Sequence, residues 1–263
     1  RHAERCVAKT TKTLRIFMST EKIYNATINK IMNNFKERER EFQHLDIGSG
    51  SGDLVKLLKK QLNTKSSCCD YTDELIQLPG QKVDIIDLNK IKELPYQDNT
   101  FDIITATEVI EHLEDFRKIL REMYRVLKPD GMCILSTPNI LNLNSRLRNL
   151  WFGFADLMGP LPINERKIES CAGHINPVSL FYIMHALYKS RFRKINFTVD
   201  KYQRSGMGKA IILWLPIKLL GIKIWRREVK KNKTIDASTK YIVSKLNSLP
   251  ILLGRTIIVS AIK

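Results

Sequence analysis

The spacing of apolar positions changes character along this chain. Over residues 20–36, Tyr24, Ile28, Ile31 and Phe35 recur at i, i+4, i+7 and i+11, the stripe of an amphipathic helix. From residue 42, short apolar runs alternate with helical stripes. Residues 44–47 form a strand-like run ending in Gly48, Gly50 and Gly52, and Leu54, Leu57, Leu58 and Leu62 mark the helix that follows. Residues 66–69 predict a second strand closed by Asp70, and residues 73–78 a short helix stopped by Pro79-Gly80. Residues 83–88 and 101–106 read as a third and a fourth strand. A helix is expected over 116–127, with Ile119, Leu120, Met123 and Leu127 on one face, then a turn at 128–131 and a fifth strand at 132–136. Regularity loosens from Pro138 to about residue 173. A helix over 177–188 and strands over 193–199 and 256–262 complete the pattern. This alternation of strand and helix implies an α/β fold with a parallel sheet covered on both faces.

Composition narrows the class. With 263 residues, 43% hydrophobic and 27% charged, the chain can bury a sizeable core, which excludes disordered, collagen-like and disulfide-stapled classes. Five cysteines (Cys6, Cys68, Cys69, Cys133, Cys171) with no C-x-x-C spacing argue against a disulfide framework or a structural zinc site. The same cysteine pattern leads us to expect a reducing, cytoplasmic setting, in which the N-x-S/T matches at Asn25, Asn196 and Asn232 read as chance; the residues given show no signal-peptide-like apolar run. The net charge of +17 is unevenly spread: residues 44–140 sum to −4, while 1–43, 141–209 and 210–263 carry +5, +7 and +9. A mildly acidic centre with basic surroundings points to an anionic partner: nucleic acid, an anionic membrane or an acidic glycan.

The glycine cluster carries the first chemistry. Gly48-Ser49-Gly50-Ser51-Gly52 lies between a strand and a helix, where bare backbone can approach a ligand and helix N–H groups can meet an anion. A dinucleotide site wants G-x-G-x-x-G, but Asp53 stands where the third glycine belongs, and an acid there repels a pyrophosphate. A ligand with one carboxylate and a positive centre, such as S-adenosylmethionine (SAM), suits the loop better. Asp70, at the end of the second strand, is placed to accept both hydroxyls of a ribose, and Asp87, after the third, a hydrogen bond from an adenine amino group.

Residues 43–140 resemble the class I, Rossmann-like SAM-dependent methyltransferases. The resemblance rests on His44-Leu45-Asp46-Ile47 with the glycine loop, Asp70, Asp87-Leu88, Leu94-Pro95-Tyr96 and Phe101-Asp102. It continues through Glu108-Val109-Ile110-Glu111-His112-Leu113, Leu127-Lys128-Pro129-Asp130-Gly131 and Ser136-Thr137-Pro138-Asn139. It implies a seven-stranded sheet whose last strand is antiparallel. It further implies a SAM site built from Asp46, Gly48, Ser49, Gly50, Gly52, Asp70, Asp87, Leu88 and Thr107. Asp130 departs from the usual glycine at a turn position. On this reading residues 1–41 are an N-terminal helical cap and residues 42–263 the methyltransferase domain. That domain carries an irregular substrate-side segment at 140–176 and an apolar and basic insert at 203–250.

Glu108, Glu111 and His112 stand at i, i+3 and i+4, on one face if a helix begins there. The run resembles metal-using ubiquinone-biosynthesis O-methyltransferases and small-RNA 2′-O-methyltransferases, and His174 can supply a downstream fourth group. Glu108, Glu111, His112 and His174 are therefore candidate ligands for Mg²⁺, Mn²⁺ or Zn²⁺, with His112 and His174 also candidate bases. The plain alternative makes Glu108 and Glu111 a loop-and-cap pair and the histidines pocket lining.

The expected activity is O-methylation of a small or lipid-linked acceptor, such as a prenylated phenol or a glycan lipid. RNA 2′-O-methylation and a non-catalytic membrane or scaffold adaptor are the competing classes. Residues 210–225 are apolar but contain Pro216, Lys218 and Lys223, too short and broken for the roughly 20 residues that span a bilayer. They are expected to be either a buried helix of the substrate cap or an interfacial helix that leaves the enzyme peripheral on an anionic membrane.

Overall fold

The computed structural model describes residues 21–35, 37, 39–161 and 173–263. Seven strands form one sheet: β1 (Phe42–Ile47), β2 (Thr64–Asp70), β3 (Val83–Ile85), β4 (Phe101–Thr107), β5 (Leu127–Pro138), β6 (Arg193–Val199) and β7 (Thr256–Ile262). Their order is β3-β2-β1-β4-β5-β7-β6. β1 to β5 pair in parallel and β7 is antiparallel, as the resemblance implied; β7 inserts between β5 and β6.

Alternate residues of each central strand feed opposite faces, the two-residue period of a sheet covered on both sides. Ile104, Leu135 and Val259 join α3 (Phe116–Val126) and α5 (Leu180–Lys189) in one core. Ile103, Ile134 and Ile258 join α1 (Glu21–Phe35) and α2 (Asp53–Lys59) in the other. The expected cap helix is α1, whose Ile28, Ile31 and Phe35 are buried against the second face. Residues 1–20, with Cys6, and 162–172, with Cys171, lie outside the described residues.

Four local expectations need correction. Residues 73–78 form turns, not a helix, because tertiary contacts claim the segment: Gln77 N–H donates to the Ser51 carbonyl at 3.0 Å, and Ile76 packs under Gly52. The third strand stops at Ile85. Residues 128–131 are an irregularity within β5 where its register on β4 shifts, with Asp130 in the left-handed region at φ 59°. The segment 140–176 is not irregular throughout. It contains α4 (Leu143–Phe152), whose N-cap Asn142 side chain accepts from Ser145 N–H at 2.8 Å, with left-handed Gly153 closing it. The insert is α6 (Arg204–Arg227), longer than the apolar run alone, then a π-turn at Glu228–Asn232, α7 (Lys240–Lys245) and α8 (Leu249–Leu253).

Candidate active site

Strand order reverses between β1 and β4, so the connections leaving them diverge and open a crevice at the carboxyl ends of the strands. The glycine loop enters it from β1. Gly48, Gly50 and Gly52 all have positive φ, at 69°, 48° and 78°. A Cβ on Gly48 would meet Val109 Cγ2 at 2.4 Å and one on Gly52 would meet Ile76 Cδ1 at 2.7 Å, whereas over Gly50 there is no atom within 4 Å. The loop is thus packed at both ends and open in the middle, where a ligand can reach backbone. Ser49 Oγ is buried beside it with no hydrogen-bond partner.

Asp70 closes β2 and turns back toward this loop. Its Oδ2 accepts Gly50 N–H at 2.8 Å and its Oδ1 accepts Tyr71 N–H at 2.7 Å. Each oxygen keeps a lone pair for a further donor, the capacity a ribose diol requires. Burial raises the Asp70 carboxyl above its ordinary range against these backbone donors. Asp46 is buried in β1 and accepts the Thr105 hydroxyl at 2.6 Å. That hydroxyl is spent on Asp46, so the 2.8 Å contact from Thr105 Oγ1 to His44 Nε2 makes the ring nitrogen the donor. His44 Nδ1 is then the acceptor for Ser66 Oγ at 3.1 Å. Burial pushes Asp46 up to about 7 and His44 down to about 3, so at neutral pH the imidazole is uncharged and the carboxyl is only partly ionised. Thr107 ends β4 buried at the crevice floor. Asp87 is exposed at the rim, bonded to Lys90 at 2.8 Å, which holds its carboxyl below the usual range; Leu88 is half-buried beside it.

The metal candidates separate into two groups. Glu108 follows β4 in the left-handed region at φ 57°. Ser136 Oγ accepts its N–H and donates to its carboxylate, both at 3.1 Å. Burial raises this carboxyl to about 7. Residues 110–112 form a single 3₁₀ turn rather than the start of a regular helix, and they carry Glu111 and His112 toward His174. One ligand atom from each of Glu111, His112 and His174 lies within 4.8 Å of the others, and Glu108 is not in that cluster. The His112 and His174 rings meet edge-on at 4.8 Å. His112 Nδ1 donates to the Gly173 carbonyl at 3.1 Å and His174 Nδ1 to the Leu157 carbonyl at 2.8 Å. Both Nε2 atoms are therefore lone-pair bearing when the rings are neutral. Burial lowers His112 to about 4 and also lowers His174. Glu111 is fully buried, neither carboxylate oxygen has a hydrogen-bond partner, and desolvation together with Glu108 holds it well above the usual range. A divalent cation fits this donor set: it would neutralise the buried carboxylate and take the two imidazole lone pairs.

Four supporting groups escaped the sequence reading: the carbonyls of Gly173 and Leu157, which fix the imidazole tautomers, and Ser136 and Thr105, which hold Glu108 and Asp46. Backbone carbonyls leave no residue-type signal. Ser136 stands in one of the matched motifs without a role, and Thr105 sits in a strand whose pattern reads only as core.

Comparison with known proteins agrees with this geometry. Residues 45–135 match the family described as "Methyltransferase domain". A ubiquinone/menaquinone biosynthesis C-methyltransferase from Desulfotalea psychrophila is 25% identical over 185 residues, covering 65% of this chain and 72% of that protein. A demethylmenaquinone methyltransferase from Listeria welshimeri is 32% identical over 108 residues, 36% of this chain and 46% of that protein. The chain thus spans less than half of this more identical relative. A crystal structure of a SAM-dependent methyltransferase from Archaeoglobus fulgidus superposes with a TM-score of 0.58 at 17% identity, covering 94% of this chain and 96% of that one, a likeness of fold. Residues 45–135 thus match a methyltransferase domain, and the chain around them has the Rossmann-like fold of a SAM-dependent methyltransferase, with the reversed last strand and a glycine loop facing strand-end acids.

Proposed function

We propose that this methyltransferase alkylates a hydroxyl oxygen of a small or lipid-linked acceptor, a prenylated phenol or a glycan lipid, with Glu111, His112 and His174 holding a divalent cation beside it. In this reading Gly48, Ser49, Gly50 and Gly52 border the methionine end of SAM and Asp46 faces its ammonium. Asp70 takes the ribose hydroxyls, Asp87 and Leu88 flank the adenine, and Thr107 lines the floor. The acceptor hydroxyl releases its proton to solvent water, its oxygen attacks the methyl carbon in line, the S–CH₃ bond breaks with its electron pair on sulfur, and neutral S-adenosylhomocysteine leaves.

The observation that carries the proposal is Glu111, a carboxylate buried without a donor, facing two imidazoles whose outer nitrogens are free. An imidazole held at about 4 is a weak base at neutral pH, but its neutral form is the one that ligates a cation. A cation here would supply Lewis acidity that lowers the pKa of the acceptor hydroxyl. Two imidazoles favour Zn²⁺ or Mn²⁺ over Mg²⁺. Glu108 then acts from outside the ligand set, through its like charge on Glu111.

A second reading is carried by the names of the relatives: methyl transfer to a ring carbon of a quinone precursor. Removing a phenol proton activates both the oxygen and the adjacent ring carbon, so the same cluster serves either outcome. Incubation with methyl-labelled SAM and total lipid, RNA and protein fractions separates the classes. A labelled methyl ether in the lipid fraction is expected; a ring-bound methyl establishes the second reading, and label in RNA overturns both. Chelation should abolish turnover and Mn²⁺ or Zn²⁺ restore it, while SAM affinity is unchanged. Full turnover after chelation, with no metal by elemental analysis, returns the three residues to a structural role.

A further inference from the structure

α6 is packed on one side only. Gly206, Ala210, Leu213 and Ile217 recur at helical spacing and turn inward, where Ala210, Leu213 and Ile217 meet Leu143, Leu252 and Leu253. An ordinary surface helix would be polar on its opposite side. Instead Ile211, Leu215, Leu219 and Ile222, spaced i, i+4, i+8 and i+11, form a second apolar stripe joined by Ile212. Their exposures run from 85% at Ile211 to 50% at Ile222, so among the described residues nothing covers them. At 1.5 Å per residue the stripe from Ile211 to Ile222 runs about 17 Å along the helix, a continuous ridge rather than a scatter of single exposed residues.

The charge around the ridge is of one sign. Lys218 and Lys223 flank the stripe on its two sides at helical angles, positioned for their stems to lie along apolar surface with the ammonium groups outward. Arg226, Arg227, Lys230 and Lys231 follow at the carboxyl end, with Glu228 the only acid between residues 201 and 235. The neighbouring α4 adds exposed Leu150, Trp151 and Phe152. No helix among the described residues is long and apolar enough to cross a membrane.

We propose that the outer face of α6 is an interfacial anchor that lies in the headgroup layer of an anionic lipid bilayer. The apolar stripe enters the acyl boundary while the basic residues meet lipid phosphates and carboxylates. A second copy of this chain fits the ridge less well, because it would oppose two surfaces of the same strong positive charge. The inference stands on the shape and charge of α6 alone and is independent of the acceptor and of the metal.

The experiment is co-sedimentation of the full chain with vesicles of phosphatidylcholine alone, or with about one-third phosphatidylglycerol. The wild type should sediment with the anionic vesicles and not with the neutral ones. It should be released as salt rises from about 0.1 to about 1 M, which shortens the screening length from about 10 to about 3 Å. Each basic residue near such a surface contributes about fivefold to partitioning. R226Q/R227Q/K230Q/K231Q should therefore lower partitioning by about two orders of magnitude or more. L215S/L219S, at exposed positions, should reduce it as well, with an unchanged thermal melt confirming the fold. A blue shift of tryptophan emission on anionic vesicles should accompany binding and be lost in both variants. Equal sedimentation of the wild type and the charge variant overturns the proposal. So does a lipid-independent dimer that L215S/L219S dissolves, which would assign the ridge to a second copy.

Discussion

Gly48 and Gly50 are two residues apart, share left-handed backbone, and differ in what surrounds them, so the same substitution at each separates fold from function. An L-residue in that conformation costs about 1–2 kcal/mol, offset by about 0.4–1 kcal/mol from the stiffer unfolded chain. Gly50→Ala adds a methyl group into open space, and the Gly50 N–H to Asp70 bond is kept, since alanine has the same N–H. Its net destabilisation should be about 1 kcal/mol, a fall in Tm of about 2–4 °C. Gly48→Ala carries the same backbone cost and drives its Cβ to 2.4 Å from Val109 Cγ2. Overpacking of that kind costs a further ~1–3 kcal/mol, so its Tm should fall by about 4–16 °C. The order should reverse for the ligand. If SAM lies over the open centre of the loop, the Gly50 methyl occupies its space, and a comparable overpacking penalty of ~1–3 kcal/mol weakens binding about 5- to 150-fold. Thermal melts and titration calorimetry with S-adenosylhomocysteine on both variants check this. Wild-type affinity in Gly50→Ala would refute the placement of the cofactor against this loop.

Other outcomes follow from the same geometry. Asp70→Ala removes the acceptor assigned to the ribose and should weaken SAM binding by about 1.5–3 kcal/mol by calorimetry, the range for bonds to a charged group; NAD binding tighter than SAM would contradict the nucleoside assignment. Glu111→Gln should lower bound Zn²⁺ or Mn²⁺ by elemental analysis without changing SAM affinity, and equal metal content in both proteins refutes the cluster. The buried pair His44 and Asp46 should oppose each other in pH dependence. With His44 held down at about 3, only the unfolded chain takes up its proton between about pH 6.5 and 3, so stability falls as pH falls. With Asp46 raised to about 7, only the folded state holds its proton between about pH 7 and 4, so stability rises as pH falls. Each slope reaches at most about 1.4 kcal/mol per pH unit. Asp46→Asn deletes only the second effect, so relative to wild type its urea midpoint should decline from about pH 7 to 4; parallel curves would refute the assignment.

Much of the fold was legible because its signals are local. The strand period, the helix stripes and the glycine loop each depend on residues within a few positions of one another, and Asp70 was placed by its position at the end of a strand. The number of strands and the reversal of the last one came from the family resemblance carried by those same motifs, while their order is read from the structure. Other features depend on residues far apart in sequence. The 73–78 segment has a plausible helical pattern, but Ser51 and Gly52 claim Gln77 and Ile76 from across the loop. Glu108, Glu111 and His112 read as one helical face. The left-handed backbone at Glu108 and the 3₁₀ turn after it leave Glu108 on Ser136 and bring Glu111 and His112 to His174. Neither the tautomers of these histidines nor the opposed shifts of His44 and Asp46 are visible in a string of letters, because both are set by burial and by partners from other strands. The insert shows the division most plainly. An apolar run with interspersed lysines fits a buried helix and an interfacial one equally, and sequence alone left both open. Only packing shows that Leu213 and Ile217 face the protein while Leu215 and Leu219 face away, because a helix that is apolar on two sides has no preferred inward face until the rest of the chain covers one of them.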